Sequence, residues 1–231
     1  GVPRRRALSG GRVRRSAGCA GVVAALVLVI MVVGALVVGT RDSGPDRVQV
    51  PENVPPAAAG PVEDVAGTAS ALRIPEDFLT SYLDATETVS AELPDCGLRW
   101  NTLAGLGYAE SHHGTYGVED GKIIGPRLDG TGGFMEIPDT DDGRLDGDTE
   151  YDRALGPLQF LPDSWRLYGD GDPQDIADAA VAAGRLLCAG DRDLSTAEDW
   201  AGAVFAYNHS DRYLADVRDA AANYALGQSA N

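Results

Sequence analysis

Residues 100–114, WNTLAGLGYAESHHG, set an apolar helix directly against a cluster of titratable side chains. Trp100 to Glu110 places Leu103, Leu106, Gly107 and Glu110 near one face at helical spacing. Such a helix carries a carboxyl group to the edge of a core. Helical patterns recur on both sides of it. Pro75 with Glu76 and Asp77 opens one, its apolar stripe runs through Phe78, Leu79, Tyr82, Leu83, Thr86 and Val89, and Pro94 stops it. Pro162, Asp163 and Ser164 open a short helix through Trp165. Asp175 to Cys188 is alanine-rich, with Ile176, Ala179, Ala180, Ala183 and Leu187 facing inward. Ser195 with Glu198 reads as a capping box for a helix through Trp200, Val204 and Tyr207. Tyr213 to Leu226 forms the last helix, with Leu214, Val217, Ala221 and Tyr224 on one face. Residues 114–153 differ: they are rich in Gly and Asp, with short strand-like pieces such as Lys122 to Ile124. The expected fold is mainly α, with a loop-rich lobe inserted between helices.

Three clusters carry side chains suited to chemistry. In the first, Glu110 ends an apolar helix, where partial desolvation raises a carboxyl pKa. A carboxylic acid that keeps its proton near neutral pH can donate it to a glycosidic oxygen. Taken alone, the same residue also reads as a surface glutamate at a helix end. His112 and His113 follow, but adjacent histidines point apart, and helical metal ligands sit four residues apart. No metal and no cofactor is expected, and these two rings line a polar groove or a solvated helix end. In the second cluster, Gly156-Pro157-Leu158-Gln159-Phe160, a Gly-Pro turn presents the Gln159 amide while Phe160 anchors inward. In the third, Ala206-Tyr207-Asn208 is followed by Tyr213, and aromatic rings beside an amide suit a sugar.

The formal net charge is -16 over 231 residues, but it is unevenly spread. Seven arginines and no acid lie in residues 1–41, so the remainder holds 12 basic residues against 35 acidic ones. That surface repels phosphate and argues against a nucleic-acid partner. Residues 20–39, AGVVAALVLVIMVVGALVVG, are uncharged and of membrane-spanning length. The arginines before this run place residues 1–19 as a cytoplasmic tail and everything after it outside. An uncleaved anchor is favoured over a cleaved signal peptide or a buried core helix. Residues 40–69, rich in Pro, Ala and Gly, read as an extended tether, and residues 70–231 as the catalytic domain. Outside the cytoplasm Cys96 and Cys188 are expected to pair. No coiled coil is visible, so a monomer is expected.

The ordered set Ala109-Glu110-Ser111-His112-His113-Gly114, then Gly156 to Trp165 (GPLQFLPDSW), then Ala206 to Tyr213 (AYNHSDRY) resembles the lytic murein transglycosylases. The likeness is to the membrane-bound B-type subfamily as found in actinobacteria, and it covers roughly residues 70 to 226. It implies a lysozyme-like α+β domain that acts on peptidoglycan glycan strands. Such enzymes break the β-1,4 bond between N-acetylmuramic acid and N-acetylglucosamine and leave a 1,6-anhydro end. The resemblance implies that Glu110 serves as the single acid and then base, with the substrate's acetamido group stabilising the cation-like transition state. It gives Ser111, Gln159, Tyr207, Asn208 and Tyr213 as the substrate-binding set, Ser111 by shaping the surroundings of Glu110. Relatives often carry a calcium loop after the Gln-Phe motif. Here Tyr168 to Asp175 is too short for one, and Asp139 to Glu150 has Gly143 off register, so both read as acidic loops. Two other readings remain: a hydrolytic muramidase using Asp152 as a second carboxylate, and a non-catalytic wall-binding module.

Overall fold

The computed structural model describes residues 48–230. The tail, the apolar run 20–39 and Cys19 therefore lie outside the described residues. Among the described residues no helix is long and apolar enough to cross a membrane.

The described chain is mainly helical, as expected. Its elements in order are α1 (Val65–Leu72), α2 (Glu76–Glu92), α3 (Trp100–Ser111), β1 (Val118–Glu119), β2 (Lys122–Arg127), β3 (Arg153–Leu155), α4 (Pro162–Tyr168), α5 (Ile176–Cys188), α6 (Ala197–Tyr207) and α7 (Asp211–Ala225). Helix α3 is the axis. Every residue from Trp100 to Gly107 is buried, so this helix has no solvent face until its last turn. It packs most extensively on α7, while α2 packs on α5. Small residues permit both contacts. A Cβ on Gly105 would lie 2.7 Å from the Val217 carbonyl oxygen, and one on Gly184 would lie 2.8 Å from Val89 Cγ2.

Helix ends follow local chemistry, with two shifts from the sequence reading. Thr196, not Ser195, caps α6: its hydroxyl accepts the Asp199 N–H at 3.2 Å. Helix α7 starts two residues before Tyr213, because the Ser210 hydroxyl accepts the Tyr213 N–H and closes the first turn. Cys96 and Cys188 form a disulfide across a sequence separation of 92. It joins the chain just beyond α2 to the last residue of α5. Closing so long a loop restricts the unfolded chain by about 4–5 kcal/mol in the loop-entropy picture.

The inserted lobe is better ordered by hydrogen bonds than its composition suggests. β1 and β2 pair through Val118↔Ile123 and Glu119↔Lys122. Their turn residues, Asp120 and Gly121, both have positive φ (49° and 77°), the backbone that a two-residue hairpin demands. β2 and β3 pair antiparallel through Ile124↔Leu155 and Arg127↔Arg153, with an irregularity between. The long excursion between them folds back on itself through Leu128 N–H to Asp152 O, Asp152 N–H to Ile137 O and Asp139 N–H to Glu150 O. Arg127 braces it, pairing with Asp148 and Glu150 and lying 4.7 Å over the Tyr151 ring.

The expected tether 40–69 is corrected over its described part. The compact unit begins at Val48 rather than residue 70, and α1 occupies its end. Residues 48–62 form a strap laid along the domain. The Asn101 amide accepts the Ala59 N–H at 3.2 Å and donates to the Ala57 carbonyl at 3.0 Å, and Trp100 Nε1 donates to the Gly60 carbonyl at 3.4 Å. Val48 exchanges two bonds with the Gln228 amide, at 3.2 and 2.9 Å. Val54, Ala59 and Val62 pack against the core. Composition read this stretch as free because it has no periodicity, yet its carbonyls and N–H groups meet the buried Asn101 amide, the Trp100 indole and the Gln228 amide. A chain starting at residue 65 should therefore melt lower than one starting at residue 48, by about 10 °C for a loss of about 3 kcal/mol. Differential scanning calorimetry of the two checks this, and equal midpoints would show the strap to be idle.

Candidate active site

Glu110 stands in the last turn of α3, where the helix first emerges from the core. Part of the residue reaches solvent, but enough protein surrounds the carboxyl that burial pushes its pKa from 4.5 up to about 7. The Tyr213 hydroxyl opposes this by donating to Oε1, which favours the carboxylate. Near neutral pH the group is therefore poised between its two protonation states. Burial, followed by the charge of Glu110, holds the Tyr213 and Tyr207 phenols well above their ordinary range. Both stay protonated and act as fixed donors.

Helix α3 stops abruptly after the acid. His112, His113 and Gly114 all take positive φ (49°, 56° and 73°), and the His113 N–H returns to the Gly107 carbonyl at 3.0 Å. The sequence reading placed these histidines in a groove or a solvated end. For His113 that is corrected: it is buried, with Nδ1 3.0 Å from the Tyr82 hydroxyl and Nε2 2.7 Å from the Tyr224 hydroxyl. Burial, then the neighbouring His112, drives its pKa down to about 3. The ring is neutral, so one tyrosine donates to it and the other accepts from it. Its partners come from α2 and α7, which pins the turn after Glu110 to two helices. Gly107 makes room for this: a Cβ there would collide with the Tyr82 hydroxyl. His112 instead stacks between Tyr108 and Tyr116, at 4.4 and 4.2 Å between ring centres.

Ser111 joins the first cluster to the second. It is 1% exposed, donates to the Pro157 carbonyl at 2.6 Å and accepts the Gly114 N–H at 2.8 Å. It was expected in the substrate-binding set by shaping the surroundings of Glu110; the structure shows its hydroxyl buried and bonded on both sides, a joint directly beside the acid. Gly156 opens the second cluster at φ +73°, pressed against the Pro173 carbonyl, where any side chain would clash. Leu155 and Phe160 exchange two backbone bonds of 2.8 Å, which closes a tight loop and sets Gln159 at φ +49°. The Gln159 amide nitrogen donates to the Gly156 carbonyl at 2.9 Å, and its oxygen lies over Gly125, 2.8 Å from where a Cβ would stand. Phe160 is buried and meets Trp165 and Tyr207 edge to face, at 5.3 and 5.7 Å.

The Tyr207 hydroxyl donates to the Leu158 carbonyl at 2.6 Å, so the third cluster holds the second in place. Asn208 caps the end of α6 and is exposed. Its carbonyl accepts the Ser210 N–H at 2.9 Å. Glu110, Ser111, Gln159, Tyr207 and Tyr213 thus belong to one bonded assembly, and Asn208 stands beside Tyr207 at its rim. The roles of Tyr82, Tyr224 and Asn101 were missed. Tyr82 and Tyr224 had been read only as core positions, and no local pattern signals that a tyrosine will meet a histidine far along the chain.

In the acidic lobe, the expected candidate for a second carboxylate is enclosed. Asp152 is 0% exposed, and its two oxygens accept the Thr140 N–H and hydroxyl at 2.9 and 2.8 Å. Burial raises its pKa. Asp139 and Asp141 bring carboxylate oxygens within 4.8 Å of it, while Glu150 pairs instead with Arg127. Asp139 and Asp141 accept backbone N–H groups of Asp141, Gly143, Arg144 and Leu145, so this cluster organises its own loop.

No protein-family model, no curated protein and no solved structure matches this chain.

Two outcomes test the electrostatics. Glu110 titrates near 7 in the folded state and near 4.5 otherwise, so between these values the folded state holds the extra proton. Its stabilising contribution is present below 4.5 and lost as pH rises through 7. Glu110→Gln cannot ionise, so it should raise Tm above wild type at pH 8 and change it little at pH 4.5. Tyr213→Phe removes the donor that favours the carboxylate. The Glu110 midpoint, followed by carbon-13 NMR of the carboxyl, should then move upward; a downward move would mean that water has replaced the phenol.

Proposed function

We propose that this chain is a lytic transglycosylase of peptidoglycan, cleaving the β-1,4 bond between N-acetylmuramic acid and N-acetylglucosamine with formation of a 1,6-anhydro end. The observation that carries the reading is the state of Glu110: a carboxyl raised to about 7 by burial, fixed by a phenol, at the mouth of a buried helix. Such a group can give its proton to the leaving oxygen and then take one from the sugar's 6-hydroxyl. The order of the three motifs supplies the substrate class. One acid suffices where the nucleophile is the substrate's own hydroxyl, whereas hydrolysis by paired carboxylates needs two. Asp152, the second carboxylate a muramidase would use, is buried with both oxygens committed to Thr140, which favours the transglycosylase over the hydrolase.

In this reading Gln159 and Asn208 contact the sugars, Tyr213 holds the acid, and Tyr207 and Ser111 hold the loop that carries Gln159. The glycan strand is the partner, and the apolar run 20–39 anchors the enzyme with residues 48–230 outside the membrane. The disulfide supports that side of the membrane, since such bonds persist in oxidising compartments.

Digestion of purified peptidoglycan by residues 48–231, beside the Glu110→Gln variant, tests the proposal by mass spectrometry of the products. Anhydro-muropeptides from the unaltered protein alone, with Glu110→Gln slower by at least about a thousandfold, is the expected outcome. Reducing-end products would assign a hydrolase, and binding without products would assign a wall-binding module.

A further inference from the structure

Helices α3 and α7 are tied at both ends. At one end Tyr213, in the first turn of α7, holds Glu110 in the last turn of α3. At the other, Asn101 is the second residue of α3 and is 1% exposed. Its amide accepts the Ala59 N–H of the strap at 3.2 Å and donates to the carbonyls of Ala57 and Ala221, each at 3.0 Å. One side chain thus fastens the strap, α3 and the C-terminal half of α7 together. It lies about 13 Å along the helix from Glu110, at 1.5 Å per residue.

Between the two ties the helices approach closely at Gly105. Gly105 faces the Val217 carbonyl and the Ala221 methyl, with room for no side chain. Helix pairs usually fix their register by interlocking side-chain ridges and grooves. Where a glycine rides on a backbone, that interlock is weak, and the bonds at the ends must set how far one helix slides along the other. At the Glu110 end the Tyr213 tie is joined by the bond from His113, in the turn after α3, to Tyr224 of α7 at 2.7 Å; Asn101 is the hold at the opposite end of α3.

We propose that the strap, acting through Asn101, is a positioning element for Glu110: it fixes the slide of α3 along α7 and hence the place where the acid meets Tyr213. This rests on the reading of Glu110 as the proton donor. Asn101 touches neither substrate nor reacting atoms; it acts through the helix.

The test uses the full chain with two variants. Asn101→Ala removes the hub. Ala59→Pro removes the strap N–H that Asn101 accepts and leaves every residue of α3 and α7 in place, so it decides the matter should Asn101→Ala fail to fold. The first readout is the Glu110 titration midpoint by carbon-13 NMR, which needs no substrate. Tyr213 from α7 and Tyr207 from α6 are the titratable groups beside that carboxyl. The midpoint should leave about 7 by about half a unit or more, upward where the phenol is lost or downward where water enters. The second readout is turnover on glycan strands: kcat should fall about tenfold with KM within about twofold. A fall in Tm with the midpoint and kcat unchanged would overturn the proposal and leave the strap as a stabiliser only. Failure of the unaltered protein to cleave glycan would count against the proposed function, and the titration would still decide this inference.

Discussion

The approach of α3 to α7 over Gly105 is the constraint on which the rest of the molecule depends. A helix buried from Trp100 to Gly107 must present apolar, small or hydrogen-bonded surface on every side, and at Gly105 it has room for no side chain. That contact lets α3 run through the centre of the domain. It also means that the Glu110 carboxyl emerges where four segments converge: the end of α3, the start of α7, the end of α6 and the loop 156–160. Burial at that junction withholds water from the acid, and the same crowding supplies the Tyr213 donor that keeps the carboxylate accessible. The two effects oppose each other, and burial is the larger.

Around this junction the fold spends polar groups as joints. Ser111 bonds the Pro157 carbonyl, Tyr207 bonds the Leu158 carbonyl, and His113 bonds Tyr82 and Tyr224. Each joins segments far apart in sequence, and each satisfies a polar group that would otherwise be costly to bury. Loop 156–160 is therefore held from both sides, by α3 through Ser111 and by α6 through Tyr207. Any role of Gln159 in binding depends on this, since its own φ of +49° is a backbone state that an unconstrained glutamine rarely keeps.

Periodicity found the helices from α2 onward, because α2, α5 and α7 each bury one face and leave the alternation visible, but α1 fell largely within the stretch read as a tether. Even α3, buried on all sides up to its last turn, was found through the helical spacing of Leu103, Leu106, Gly107 and Glu110. The cap positions at Thr196 and Ser210 were less legible, since neighbouring residues of similar chemistry compete for the same role. The three clusters were each visible, but which side chain faces a ligand and which faces the protein was not. Ser111 and His113 sit beside the acid in sequence, yet both turn inward, a choice made by Pro157, Tyr82 and Tyr224, which no local pattern links to them. The strap was misread for a related reason. A segment without periodicity reads as free when its partners, here Asn101, Trp100 and Gln228, lie far along the chain.

The docked strap has a consequence for how proteases can cut the chain. Proline- and alanine-rich segments are favoured cutting sites when they hang loose, because a protease must draw several residues of backbone into its own cleft. Here the carbonyls of Ala57 and Gly60 and the N–H of Ala59 are already engaged, and Val54 and Val62 lie against the core. Cleavage within residues 48–62 must wait for a local opening, and its rate then follows the population of that open state. Nicking in this stretch is thereby coupled to the stability of the helical body itself.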